Sequence, residues 1–304
     1  MDNNVRTNLY PSLELDKWEK TKKTLHLFIQ IIGKIRLALY PKSNHWWHVP
    51  LFVSVRGLTT RPIPYGDTIF EIEFDFIHHV LSIRSSHGHH ELIKIDNASV
   101  SEFYKSVFAT LDSLGINVDI NDLPYDNEST LPFSENLIDY HYNAEYVNRF
   151  WKVLVLVNSV FEKFRAKYTG KSTPVQLYWH HLDLVVTRFS GNKAPEREWP
   201  TNVEREAYSH EVISFGFWAG DENIREPAFY AYMYPEPDGL ECQKIKPDEA
   251  IWNTDPGYAM ALLPYEAVRL SASPEAEIME FLESVYSAGC GISDWNSSEF
   301  EMPD

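Results

Sequence analysis

The spacing of apolar residues divides the chain into helical and extended blocks. From Asp16 to Tyr40, Leu25, Phe28, Ile29, Ile32, Ile35 and Leu39 recur at helical spacing. Asp16 and Glu19 offer a variant capping box, and Pro41 stops the helix because a residue before proline avoids helical torsions. Val49–Val55 is rich in β-formers. Between Thr68 and Phe76 the alternation is strict, with Phe70, Ile72, Phe74 and Phe76 against Glu71, Glu73 and Asp75. That pattern predicts a strand of an antiparallel sheet with one wet face. Val80–Arg84 and Glu91–Ile95 predict two more strands, joined by the polar turn Ser85–His89. A helix then opens at Ser99 with Glu102 reaching back, shows Phe103, Val107, Phe108, Leu111 and Leu114 on one face, and closes at Gly115.

The order recurs further on. Val147, Phe150, Trp151, Leu154, Val157, Phe161 and Phe164 predict a helix over Ala144–Tyr168. Strands are expected at Val175–Arg188, Glu211–Trp218, Phe229–Tyr234 and Tyr258–Leu263, with Gly191–Arg205 as a surface insertion. A last helix opens at Ser273-Pro274 and ends by Gly289. The expected fold is α+β, in two related halves, each an antiparallel sheet with long helices packed on one face. The halves span 14–120 and 143–290, with a connection over 121–142 and an acidic, mobile tail over 291–304. An internal duplication would place the two long helices centrally, related by an approximate two-fold axis.

Composition narrows the function classes. Of 304 residues, 44% are hydrophobic and 14% aromatic, with nine Trp, so a substantial core is available. The 27 basic and 44 acidic residues give a formal charge of -17, which disfavours nucleic-acid phosphates and anionic membranes as partners. Cys242 and Cys290 follow no disulfide or zinc spacing. The opening Met1-Asp2-Asn3-Asn4 is unlike a signal peptide, and Gln30, Lys34 and Arg36 interrupt the apolar run Leu25–Leu39, so a cytoplasmic protein is expected.

Three segments could carry chemistry. Asn44-His45-Trp46-Trp47-His48 reads first as an aromatic plug and second as a ligand platform. Its histidines share a face only in a helical turn, which a metal site would need. Arg56 and Thr59 stand in a long loop, Arg56–Pro62, where guanidiniums could meet carboxylate or phosphate, although a structural turn is the commoner use of its Gly and Pro. Trp179-His180-His181-Leu182-Asp183 falls in an expected strand that would set His181 and Asp183 on one face. Arg188-Phe189-Ser190-Gly191 and Tyr208-Ser209-His210-Glu211 follow, and either could present a polar side chain at a cleft mouth. Arg56 and Arg188 are both expected to be engaged, and at least one of Trp46 and Trp47 to be more than half buried. Glu71, Glu73 and Asp75, the histidines at 78, 79, 87, 89 and 90, and the alternating Tyr230, Tyr232 and Tyr234 read as inert.

Asn44–Leu51, Arg56–Thr60, Pro64-Tyr65-Gly66, Arg188–Gly191, Tyr208–Glu211 and Pro227–Tyr232 together resemble an uncharacterised bacterial family, a domain of unknown function. The resemblance covers nearly the whole chain and implies no activity, substrate or cofactor. It ranks Arg56, His45, Arg188 and His210 above His180 and His181. The expected function is a small-molecule-binding protein or enzyme with a site at the seam of the halves, built from His45, Trp47, His48, Arg56, Thr59, Arg188, Ser190 and His210. A small anionic or polar molecule is the expected ligand. A metal-dependent version would rest on His45, His48 and His210, though no metal is expected. The alternative is an interaction protein that uses an aromatic surface for self-association or a protein partner.

Overall fold

The structure, a computed structural model, describes residues 9–125, 129–255, 257–296, 299–300 and 302. The opening Met1-Asp2-Asn3-Asn4, Asp126 and Asn127 of the connection, and parts of the tail lie outside the described residues. Among the described residues, six helices and two antiparallel six-stranded sheets make an α+β fold with two sheet-bearing halves. No helix among the described residues is long and apolar enough to cross a membrane.

In the first half, α1 (Leu15–Leu39) precedes β1 (Phe52–Val53), β2 (Gly57–Thr59), β3 (Ile63–Tyr65), β4 (Thr68–Asp75), β5 (Val80–Ser85), β6 (His90–Lys94) and α2 (Val100–Ser113). The sheet runs β1-β2-β4-β5-β6, with β3 also on β4. The cap of α1 is Glu14, without a side-chain bond, in place of the expected Asp16. The Ser99–Glu102 capping box on α2 forms as the spacing predicts. Phe74 and α1's Phe28 both stack on Phe103 of α2, at 6.2 and 4.2 Å between ring centroids. The loop expected after Arg56 is instead the strand β2, because its backbone pairs with Gly57 opposite Asp75 and Thr59 opposite Glu73.

The wet face expected on β4 is also different. Glu73 and Asp75 are buried. Arg84 reaches Glu73 at 2.7 Å, Ser54 donates to the same carboxylate at 2.7 Å, and Arg56 Nε reaches Asp75 at 2.7 Å. These partners replace the lost water, and so let carboxylates lie under cover.

In the second half, α3 (Ala144–Ala166) precedes β7 (Gln176–Tyr178), β8 (Asp183–Lys193), α4 (Asn202–Ala207), β9 (His210–Trp218), β10 (Ala228–Tyr234), β11 (Ile251–Asn253), β12 (Met260–Pro264), α5 (Tyr265–Leu270) and α6 (Pro274–Gly291). The sheet order is β11-β12-β10-β9-β8-β7. Asn143 caps α3. The single expected strand Val175–Arg188 breaks into β7 and β8 at Trp179–Leu182, where Leu182 takes a positive φ of 58°. His181 and Asp183 are therefore not alternate positions of one strand. The short α4 and α5 carry too few turns to show a period in the sequence. Part of the tail is anchored: Trp295 is buried, Phe300 packs on Tyr168 at 5.3 Å, and Thr169 N donates to the Phe300 carbonyl.

The halves join at an edge of each sheet. Leu51 beside β1 and Leu177 of β7 exchange two backbone bonds, of 2.9 and 2.8 Å, in an antiparallel bridge. Short sequence matches recur at a constant offset: Lys34, Arg36, Lys42 and Ser43 in the first half, and Lys163, Arg165, Lys171 and Ser172 in the second. The long helices touch, Trp18 against Phe150 at 5.2 Å. Each also reaches the other half's sheet. Trp151 and Asn148 of α3 donate to the carbonyls of Ser54 and Phe76, and the ring of Trp179 lies in the notch that Gly33 leaves in α1.

Two outcomes are expected. A Cβ at Gly33 would overlap the indole of Trp179, which is buried and has nowhere to move. Gly33→Ala should therefore cost about 2 kcal/mol or more in urea unfolding, despite alanine's better helix propensity. The second outcome concerns acid. Burial holds His26 at a pKa of about 4 and His180 at about 3, below the ordinary 6.5. Folded, both stay neutral; unfolded, both take up a proton as pH falls below 6.5, so the stability they contribute is present above pH 6.5 and is lost as pH falls from there towards 4. His26→Gln should make the fall in Tm between pH 7 and 4.5 shallower than in the wild type.

Candidate functional site

The chain leaves α1 at Pro41 and enters a tight turn, Asn44–Trp46, before β1. His45 and Trp46 both take positive φ, 52° and 59°, a region that costs a non-glycine residue about 1 kcal/mol or more. The turn throws the His45 ring out of the first half and against the second. There it lies 4.9 Å from Phe189 of β8, 5.4 Å from Trp47 and 5.4 Å from His210 of β9. Asn44, His45, Lys171, Arg205, Glu206, Ser209 and His210 line a cleft of about 470 Å³ at this point. One wall belongs to the first half and the other to the second.

The hydrogen bonds set the state of the imidazole. Lys171 Nζ, which can only donate, lies 2.6 Å from His45 Nε2, so that nitrogen accepts. Nδ1 therefore carries the proton and donates to the Glu206 carbonyl at 3.0 Å. Burial first, and the charge of Lys171 second, push the His45 pKa down, in keeping with a neutral ring. Burial also lowers Lys171 and His210, and Lys171 and Lys193 add to the effect on His210. The ammonium of Lys171 sits 5.4 Å from the Trp47 ring and 4.9 Å from the Phe189 ring, a cation–π seat. Ser209 Oγ donates to the Glu206 carbonyl and lies 3.1 Å from His210 Nδ1. Glu206, the acidic residue of the lining, is paired with Lys42 at 3.0 Å.

Of the residues the sequence singled out, the structure brings His45, Trp47 and His210 together. Trp46 and Trp47 are both largely buried, as the plug reading expects. His48 is buried beside the Trp46 ring and accepts from the Ser43 amide, so it turns away from the cleft lining. Ser190 is on the opposite face of β8 from Phe189 and donates to Glu211 at 2.6 Å. Arg188 is 2% exposed, packed between Phe164, Tyr168 and Tyr286, and donates to the Phe164 carbonyl at 2.6 Å. It is engaged, but as a core residue. Arg56 and Thr59 stand on the first sheet, tied to Asp75 and Glu71, and do not line the cleft.

A metal reading loses its geometry. Both nitrogens of His45 are taken, and no group of three or more His, Cys, Asp or Glu side chains among the described residues is placed to hold a metal ion. Sequence reasoning missed Lys171 and Arg205. Each is a lone basic residue in a short polar stretch, and no spacing rule marks such a residue.

No curated protein and no solved structure matches the chain. A family model described as a family of unknown function, DUF5996, matches residues 10–302. The match spans both sheets, both long helices and every residue of the cleft, and the chain belongs to that family.

Proposed function

We propose that this protein binds a small organic anion, a carboxylate or a phosphate ester, in the cleft between its halves. The supporting observation is the seat of Lys171: a cation held on two aromatic rings and bonded to a neutral imidazole. Among the described residues neither Lys171 nor Arg205 has a carboxylate within ion-pair distance, whereas Lys42, Lys163 and Lys167 all do. A chain of net charge -17 has acidic groups to spare, so unpaired cations gathered in one concavity mark a place for an anion from outside. Trp47 and Phe189 supply an apolar wall for a ring or short chain, and the spare N–H groups of Lys171 and Arg205 supply the polar contacts. The ring of Trp47 is largely covered, which favours this reading over an aromatic surface for a partner.

Calorimetric titration with benzoate, phthalate and phenyl phosphate at low ionic strength tests it. At least one should bind saturably, and Lys171→Met and Arg205→Met should each weaken it about tenfold, the loss of one charge-assisted bond. Affinity should fall as NaCl is raised, since the cleft is open and screened. It should rise as pH falls below 6.5, because burial and the nearby lysines hold His210 below its ordinary value, and the proton it takes up there is one an anion stabilises. Absence of binding to all three anions, or binding that Lys171→Met leaves unchanged, would sink the proposal.

A further inference from the structure

The face of the second sheet turned away from α3 and α6 carries a second concentration of chemistry, remote from the cleft lining. Its centre is Asp183, at the start of β8. Strand register sets Tyr178 and Trp218 directly opposite Asp183 on its two neighbouring strands. Tyr230, one strand further, pairs with Gly216. A Cβ at Gly216 would overlap the Tyr230 ring, so the glycine lets the phenol lie over β9 and donate to Asp183 Oδ2. Tyr232 stacks beside Tyr230, and its hydroxyl lies 2.9 Å from that of Tyr208.

The accounting of donors and acceptors around Asp183 does not close. The carboxylate is 8% exposed, and its Oδ1 has no hydrogen-bond partner. Gln176 is fully buried, its amide nitrogen donates to Tyr178 at 3.0 Å, and its carbonyl oxygen is also unpartnered. Two buried acceptors thus lie in a stretch of the sheet that also carries the partly buried rings of Tyr178, Tyr230, Tyr232 and Trp218. Trp218 Nε1, opposite Asp183 in register, is a buried donor without a partner, and each unmet group costs about 1–3 kcal/mol. Burial raises the pKa of Asp183, and the Tyr230 hydroxyl, and after it His181, oppose that rise.

We propose that this face binds the primary ammonium group of a small organic amine, with Asp183 Oδ1 and the Gln176 carbonyl accepting its N–H bonds. A primary ammonium brings the donors these two acceptors lack, and adds a positive charge at Asp183 to the influence of the neighbouring His181. The rings of Tyr178, Tyr230 and Trp218 favour a cation over a neutral donor. The site is distinct from the anion cleft: Asp183 pairs with Trp218 at one end of β9, and His210 stands at the other.

The test is a titration of the full chain with butylammonium, tetramethylammonium and butan-1-ol at constant ionic strength, followed by intrinsic tryptophan and tyrosine fluorescence. Butylammonium should bind saturably at millimolar concentration or below, and the other two should not. Tetramethylammonium has the charge without the N–H bonds, and butanol has the chain without the charge. Asp183→Asn should weaken butylammonium about tenfold, and Lys171→Met should leave it unchanged. If Asp183→Asn does not fold by circular dichroism, Gln176→Met serves instead and should weaken binding several-fold. No saturable binding, equal binding of either control, or binding unaffected by the substitution that folds would overturn the proposal.

Discussion

The seat of Trp179 is the contact on which the rest of the molecule depends. Its indole fills the notch at Gly33 in α1, and its Nε1 donates to the Val49 carbonyl at 3.1 Å. Its own carbonyl accepts from His26 of α1 at 2.9 Å. One residue of the second half thus ties together the first helix, the chain leading into β1, and the break between β7 and β8. The Leu51–Leu177 bridge lies two residues from it on either strand. Because Val49 follows His45 by one turn of chain, the position of the His45 ring against Phe189 is set by the same contact. The cleft is therefore a consequence of how the halves lock, and a shift at the seam would part its two walls.

The distribution of charge follows a similar logic. The polar face of the first sheet is self-neutralised, with Arg56 on Asp75 and Arg84 on Glu73 and Glu71. The outer surface carries ion pairs such as Arg225 with Asp16 and Glu19, which contribute little each because water screens them. Arg36 and Arg188 are buried against aromatic rings, and burial lowers the pKa of both. Carbonyls of Thr60 and Phe164 accept from them, so they act as hydrogen-bonded core residues. Among the described residues, the cations of the cleft lack a carboxylate partner, and Asp183 Oδ1 and the Gln176 carbonyl are among the buried atoms that lack a hydrogen bond.

Much of the architecture was legible from the chain. Strict alternation over Phe70–Phe76, the helical stripes of α1 and α3, and the Ser99–Glu102 box each describe neighbours a few residues apart, which is the range over which backbone period and capping act. The recurrence of helix, sheet and helix followed from the same signals. The His45–His48 run and the Tyr208–Glu211 motif stood out by composition, and both reach the cleft. Arg56, Thr59, Arg188 and Ser190 stood out in the same way and do not, since a strand end beside glycine looks alike whether its arginine meets a ligand, a carboxylate or a ring.

The sequence by itself determined the α+β class, the long helices and most of the strands, because each of these rests on the period of neighbouring residues. The tertiary structure decided which polar residues have partners. Lys171 meets His45 across 126 residues of chain, and Tyr230 meets Asp183 across 47. Hydrogen bonding and ion pairing depend on distances of about 3 Å in space, whereas periodicity reports only on order along the chain. Burial acts through the same long-range packing: it alone turned Glu73 and Asp75 from a wet face into a covered one, and tyrosines of β10 from sheet filler into the surroundings of a carboxylate.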